Sequence, residues 1–364
     1  MHYTFSIFDL WPYFLISVVF IICFFNDLKN SSKIIFTTLF LFSALRYDVG
    51  WDYTSYVEEI KGGVDELMIS RFEPLSKAIL LLSAITNFYP LAFIVFAWLT
   101  LKFIKISIDE YSFNPTISWL VYYSMPLFFF ASLSTLRQSL ATVIILFAFH
   151  FAIKRNFFYF FICIIGASFF HLSALLGFLI LPLAIIKINR KLNILFLISS
   201  FIFATLSKDF LGDYLISFSL LERYNDVYFD SEVSQTASTS SLQYLYYLIA
   251  IFNLIFYNKL VSFNDTNKVF ISISNFGVVI FNLLFFETIT ALRISAFFLP
   301  FWIYLFPYYG QIFSRKTPKI PASALVLLLI LLSFFYLNMY VDSYENNILE
   351  KTSFLPYEFW WNNY

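Results

Sequence analysis

Several short stretches of this sequence place polar residues where an anion or a hydroxyl could be handled. RYDVGWDYTSY, from Arg46 to Tyr56, spaces Asp48, Asp52 and Tyr56 four residues apart. One helical turn would set all three on a single face, and Gly50 permits a sharp turn into it. A carboxylate there could take a proton from a hydroxyl. RFEP, from Arg71 to Pro74, joins a cation, the acid Glu73 and a helix-starting proline. STLRQSLA sets Arg137 beside the amide of Gln138, and a guanidinium fork matches the oxygens of a phosphate. His171 interrupts a long apolar run in FFHLSALLG, and Arg293 follows Glu287 by six residues in ETITALRISAFF. LERYNDVYFD mixes the charges of Glu222 and Arg223 with the ring of Tyr224, as sugar sites do.

Each stretch also has a plainer reading. Asp48, Asp52 and Tyr53 fit a solvated loop with an interfacial aromatic belt. Arg71 and Glu73 could form a surface pair that contributes little. Arg137 could be an anchor that snorkels from a helix end, where the cost falls well below the ~2.5 to 3.5 kcal/mol of a helix centre. His171 could be a satisfied helix terminus, and Arg293 with Glu287 a structural pair. A zinc site is not expected, because His2 is terminal and His150 lies near Lys154 on the other side. Taken together, Arg46, Arg71, Arg137, Arg223 and Arg293 with Asp48, Asp52 and Glu73 suit anion binding without metal or cofactor. A lipid diphosphate fits: the arginines would neutralise charge growing on the departing group while a carboxylate takes the proton of an attacking sugar hydroxyl.

The elements that must hold these residues are apolar. Of 364 residues 60% are hydrophobic and 13% charged, against about 25% charged in a soluble domain, so the bilayer is the expected solvent. Without the alternation a barrel needs, the backbone is expected to be satisfied within helices. The chain reads as one all-α integral membrane domain, 1–364, of about twelve transmembrane helices. The spans are expected near 10–25, 34–45, 88–106, 116–131, 138–153, 157–170, 172–186, 193–207, 242–257, 269–286, 294–310 and 321–338. Residues 75–86 are expected to form an interfacial or re-entrant helix, because a full crossing there would move Lys29 and Lys33 to the outer side. No cleavable signal peptide is expected, since the first apolar run has no basic leader and no small-residue cleavage site follows it. Cys23 and Cys163, inside apolar runs, read as small hydrophobes.

Short connections carrying Lys154, Arg155, Lys187, Arg190, Lys191, Lys259, Lys268, Arg315 and Lys316 then fall on one side, which the positive-inside rule makes cytoplasmic. Most acids and the candidate arginines fall outside, in loops 46–74 and 208–241 and a tail at 339–364. The formal net charge of zero gives no reason to expect nucleic acid. No internal repeat or pair of broken helices marks an inverted-repeat transporter.

The ordered set RYDVGWDYTSY, RFEPL, LRQSLA, FHLSAL, LERYNDVYFD, ALRISAFF and FLPYEFWW resembles the EpsG and Wzy type polysaccharide polymerases over nearly the whole chain. The resemblance implies a multi-pass enzyme of the bacterial inner membrane that joins oligosaccharide units carried on undecaprenyl diphosphate at the outer face. It points to Arg46, Gly50, Asp52, Tyr53, Glu73, Arg137, Gln138, His171 and Arg293, and it implies a partner that sets chain length. Trp51 stands where a small residue such as Thr is expected, which bears on the acceptor sugar.

The reading that results is a metal-independent glycosyltransferase. Arg137, Arg293 and Arg46 would hold diphosphate, with Asp48, Tyr53, Arg71, Gln138, Arg223 and Tyr224 as further substrate contacts. Asp52 is the first choice of general base and Glu73 the second, and His171 would position a phosphate or hydroxyl. The alternatives are a flippase or exporter of lipid-linked oligosaccharide, which should carry charge at bilayer depth, and a glycan ligase with a different acceptor.

Overall fold

The computed structural model describes residues 10–207, 240–285, 288–313, 317, 319–346 and 354–362. Among these, all regular structure is helical except two pairs of residues, as expected for a chain whose backbone bonds must close within each segment. The described residues cluster into two compact units, one within residues 1–175 and 306–364 and the other within residues 176–305.

In the first unit, α1 (Trp11–Phe25) and α2 (Ser31–Leu45) occupy the first two predicted spans. The stretch 46–74, expected as a long outer loop, instead folds largely into two short helices, α3 (Tyr53–Lys61) and α4 (Gly63–Ile69). Next come α5 (Pro74–Ile85), α6 (Pro90–Tyr111), α7 (Pro115–Ser124), α8 (Phe129–Ser134), α9 (Leu136–Ile153) and α10 (Phe157–Ser168). Pro74, Pro90 and Pro115 each open a helix, where the missing N–H is no loss. α2, α6 and α9 pack around a core that includes Leu39, Phe93, Phe96, Leu101, Leu140 and Phe149, all at most 1% exposed. The tail returns to this unit: Glu358–Phe359 pairs antiparallel with Arg46–Tyr47, and the Tyr357 hydroxyl donates to the Phe42 carbonyl at 2.7 Å.

The second unit holds α11 (Ile180–Ile186), α12 (Arg190–Ser207), α13 (Ser240–Ile255), α14 (Tyr257–Phe263), α15 (Asn267–Leu283) and α16 (Thr288–Ser295). Two pairs of its buried polar residues meet between apolar helices, as is common where lipid offers no alternative. Asn193 Nδ2 on α12 donates to Ser272 Oγ on α15 at 3.3 Å, and Asn282 Nδ2 donates to Ser200 Oγ at 2.9 Å.

The count of about twelve spans is corrected. Among the described residues three helices are long and apolar enough to cross a membrane: Pro90–Tyr111, Leu136–Ile153 and Lys319–Leu337, the last within α17 (Lys319–Asn346). The number rises to 5 if each of two bent pairs is one span. Other apolar helices among the described residues, including α1, α2, α5, α10 and α15, have 10–17 residues. A 15-residue helix such as α1 is ~22 Å long, short of a hydrocarbon core of about 30 Å. Proline accounts for part of the shortfall, because it removes a backbone donor and crowds the preceding turn. Predicted span 116–131 breaks between α7 and α8 around Pro126, and span 294–310 divides into short turns that include Pro300 and Pro307. α5 is a discrete helix of 12 residues, ~18 Å, also too short to cross alone.

Candidate functional site

The site is assembled in the first unit, beginning with the loop after α2. Arg46 is 1% exposed, and its donors go to backbone carbonyls: Nε to Val49 at 3.0 Å, Nη2 to Leu133 at 3.1 Å and Nη1 to Ser43. Its guanidinium carbon lies 5.1 Å from the centre of the Phe93 ring. Gly50 follows at φ +110°, and a Cβ there would stand 2.1 Å from the Leu133 carbonyl oxygen, so only glycine fits. The Trp51 amide donates to Ser134 Oγ at 3.0 Å. Arg46, Gly50 and Trp51 thus fasten this loop to residues 133–134, just before α9 begins with Arg137 as its second residue.

That geometry places the sequence-predicted residues differently. Arg46 is buried, with its donors directed to backbone carbonyls. Asp48 adopts the left-handed conformation at φ +49° and precedes the helix, so it shares no helical face with Asp52 and Tyr56. Asp52 caps α3, half-buried, and its backbone carbonyl accepts from the Tyr56 amide at 3.1 Å. Tyr53 is 2% exposed and stacks on Phe93 with ring centres 4.3 Å apart, so its ring is part of the packed core. Gln138 is 7% exposed, turned into the packed face of α9 away from the exposed edge of Arg137, as neighbouring helical positions must be.

The next part is built by backbone bonds across the chain. α10 ends before Phe169, and a 3₁₀ helix, Leu172–Leu179, follows His171, so the predicted break at the histidine is present. The intervening carbonyls receive the first turn of α5. The Leu75 amide donates to the Phe169 carbonyl at 3.0 Å, and Ser76 Oγ to that of Phe170 at 2.9 Å. Glu73, in extended conformation just before Pro74, is thereby set beside His171 although 98 positions separate them.

Glu73 is the centre of the cluster. Its Oε1 accepts from the Leu172 amide at 3.1 Å and lies 3.3 Å from His171 Nδ1, close enough to act electrostatically though off the line of a good hydrogen bond. Its Oε2 accepts from Arg137 Nη1. Arg137 Nε donates to the Tyr56 hydroxyl at 3.1 Å, and the guanidinium carbon lies 4.7 Å from the centre of the Phe72 ring. Burial would raise the Glu73 pKa, but the His171 contact, the Arg137 charge and the Leu172 amide outweigh it and hold the carboxyl down at about 2. A carboxylate that weakly basic is less suited than an ordinary one to accept a proton at neutral pH, and the geometry makes Glu73 the anchor of Arg137 and a neighbour of His171. The side chains of Arg137 and His171 remain 26% and 23% exposed, so both stay accessible.

Arg71 is exposed, and Glu73 pairs with Arg137 and not with Arg71 as the plainer reading had it. Arg293, half-buried in the last turn of α16, belongs to the second unit. Glu222, Arg223, Tyr224 and Glu287 lie outside the described residues, as does nearly all of the loop 208–241. Among the described residues no three of His, Cys, Asp and Glu gather as metal ligands. Sequence reasoning set Tyr56 near Asp52 without giving it a role, and it missed Phe72 and the Leu172 amide as members of the cluster. Tyr56 was signalled by its four-residue spacing from Asp52 and Phe72 by its place beside Glu73; a backbone amide leaves no such signal.

An all-helical membrane protein with a carboxylate-anchored arginine and histidine at its helix ends is the class these features define. The EpsG family profile matches residues 30–359, and the chain belongs to the EpsG family. No curated protein and no solved structure matches it.

Proposed function

We propose that this chain is a polysaccharide polymerase of the inner membrane, transferring a growing glycan from undecaprenyl diphosphate onto the terminal sugar of a new lipid-linked unit at the outer face. The anomeric carbon–oxygen bond to the diphosphate breaks, and a glycosidic bond to the acceptor oxygen forms. The acceptor proton passes to a base, and the diphosphate leaves with the electron pair. Arg137 neutralises the charge gathering on that diphosphate, with His171 as the second contact. Asp52 takes the proton, a role left to it by the low basicity of Glu73. Family membership supports the class of reaction, and the observation that carries the site is the accessible Arg137 guanidinium fixed by Glu73 and Tyr56.

The test is incubation of purified protein in vesicles with a single lipid-linked repeat unit. A ladder of longer glycans on undecaprenyl diphosphate is expected, and Asp52→Asn should slow its growth by about 100-fold or more at normal protein levels. Transfer to a different lipid acceptor would point to a ligase. Movement of the unit across the vesicle without new bonds would point to a flippase, and either result would overturn the polymerase reading.

A further inference from the structure

We infer that Tyr56 is a positioning residue for Arg137, forming with Phe72 a clamp that aims the guanidinium at a diphosphate, an inference that rests on the function proposed above. Arginine side chains on helix surfaces sample many rotamers, and holding one in a single orientation has an entropic cost. Here the planar group is held on three sides. Glu73 takes Nη1, the Tyr56 oxygen takes Nε at 3.1 Å, and the guanidinium carbon sits over the Phe72 ring, 4.7 Å from its centre. The two aromatic supports brace each other, with Tyr56 and Phe72 stacked at 6.0 Å and 17°. Tyr56 is in turn fixed from behind, 5% exposed and edge-on to Phe93 at 6.5 Å.

The position of Tyr56 follows from the fastened loop. α3 starts at Tyr53 because Gly50 and Trp51 dock on Leu133 and Ser134, and one turn later Tyr56 faces inward on the same side as Tyr53 and Ile60. Burial, opposed by the Arg137 charge and hydrogen bond, raises the Tyr56 pKa, so the phenol remains a neutral acceptor at working pH. A neutral acceptor is useful here: the Glu73 carboxylate already balances the Arg137 charge, and a second carboxylate would add a negative charge that repels a diphosphate, whereas a phenol orients Arg137 without adding charge.

The test is a double-mutant cycle between Tyr56→Phe and Arg137→Lys. Phenylalanine keeps the ring against Phe72 and removes only the acceptor. The variant should fold normally and lose about tenfold in kcat for glycan extension, the scale of one hydrogen bond to a charged group. In the Arg137→Lys background the same change should cost less than about twofold, because the group that Tyr56 aims is gone. Wild-type kcat in Tyr56→Phe, or losses that multiply in the double variant, would overturn the inference. Binding of undecaprenyl diphosphate to the purified proteins, followed through the same cycle, tests the clamp without turnover. If the wild type builds no polymer yet binding is coupled between Tyr56 and Arg137, the polymerase reading fails and the clamp stands. If polymer forms but neither kcat nor binding is coupled, the clamp fails and the polymerase reading stands.

Discussion

Arg46 and Arg137 both sit at ends of apolar helices in the first unit, and both lie against an aromatic ring, yet they are held in different ways. Arg46 gives its donors to the carbonyls of Ser43, Val49 and Leu133 and is sealed at 1% exposure. Arg137 is held by the side chains of Glu73 and Tyr56 and keeps a quarter of its own side chain at the surface. Backbone carbonyls cannot move away without unfolding the loop, so the first arrangement is structural. Side-chain partners can share or exchange an anion, so the second can bind. The two regions are also mechanically joined, because the Leu133 carbonyl that accepts from Arg46 lies just ahead of the helix that delivers Arg137.

The comparison predicts separable phenotypes. The largest effect is expected from Arg46→Ala, which strands three buried carbonyls and should destabilise the fold by about 3 kcal/mol or more. Membrane protein levels and the thermal midpoint in detergent should both fall. Normal levels and a wild-type midpoint would erase the distinction between the two arginines. Arg137→Ala should leave both measures near wild type and reduce polymer formation by about 100-fold, comparable with removal of one oxyanion donor. An unfolded Arg137→Ala protein would instead make both arginines structural.

A smaller effect is expected from Glu73→Gln, which retains an acceptor for the Leu172 amide but removes the charge, lowering the extension rate by about tenfold. The carboxyl is depressed from 4.5 to about 2 in the folded protein, so its ionised form favours folding above pH ~4.5. That contribution is lost as the pH falls through about 2. The melting temperatures of wild type and Glu73→Gln should therefore differ at pH 6 and converge towards pH 2. A constant difference across that range would show that the carboxylate charge contributes nothing to the cluster.

Much of the site was legible because its signals are local. Pro74 announces the start of α5, His171 breaks an apolar run where a helix ends, and Arg137 is conspicuous at the end of an apolar segment. The family, too, was visible in the order of the motifs. The same local reasoning overcounted spans, because hydropathy averages across Pro126, Pro300 and Pro307 while the backbone breaks near them. Nor did it show how deeply motif residues pack: Tyr53 and Gln138 are buried, and Arg46 fastens the loop after α2.

By itself the sequence determined a helical membrane chain with arginines at helix ends, because apolar composition and proline placement act on neighbouring residues. Which partner each charged side chain takes was decided only by tertiary structure. Glu73 meets His171 and Arg137 through backbone bonds between the start of α5 and the end of α10, and Arg46 meets Leu133 through the close approach that Gly50 allows. A charge becomes an anchor, a staple or a binding group according to what lies within a few ångströms of it, and residues far apart in the chain supply those neighbours.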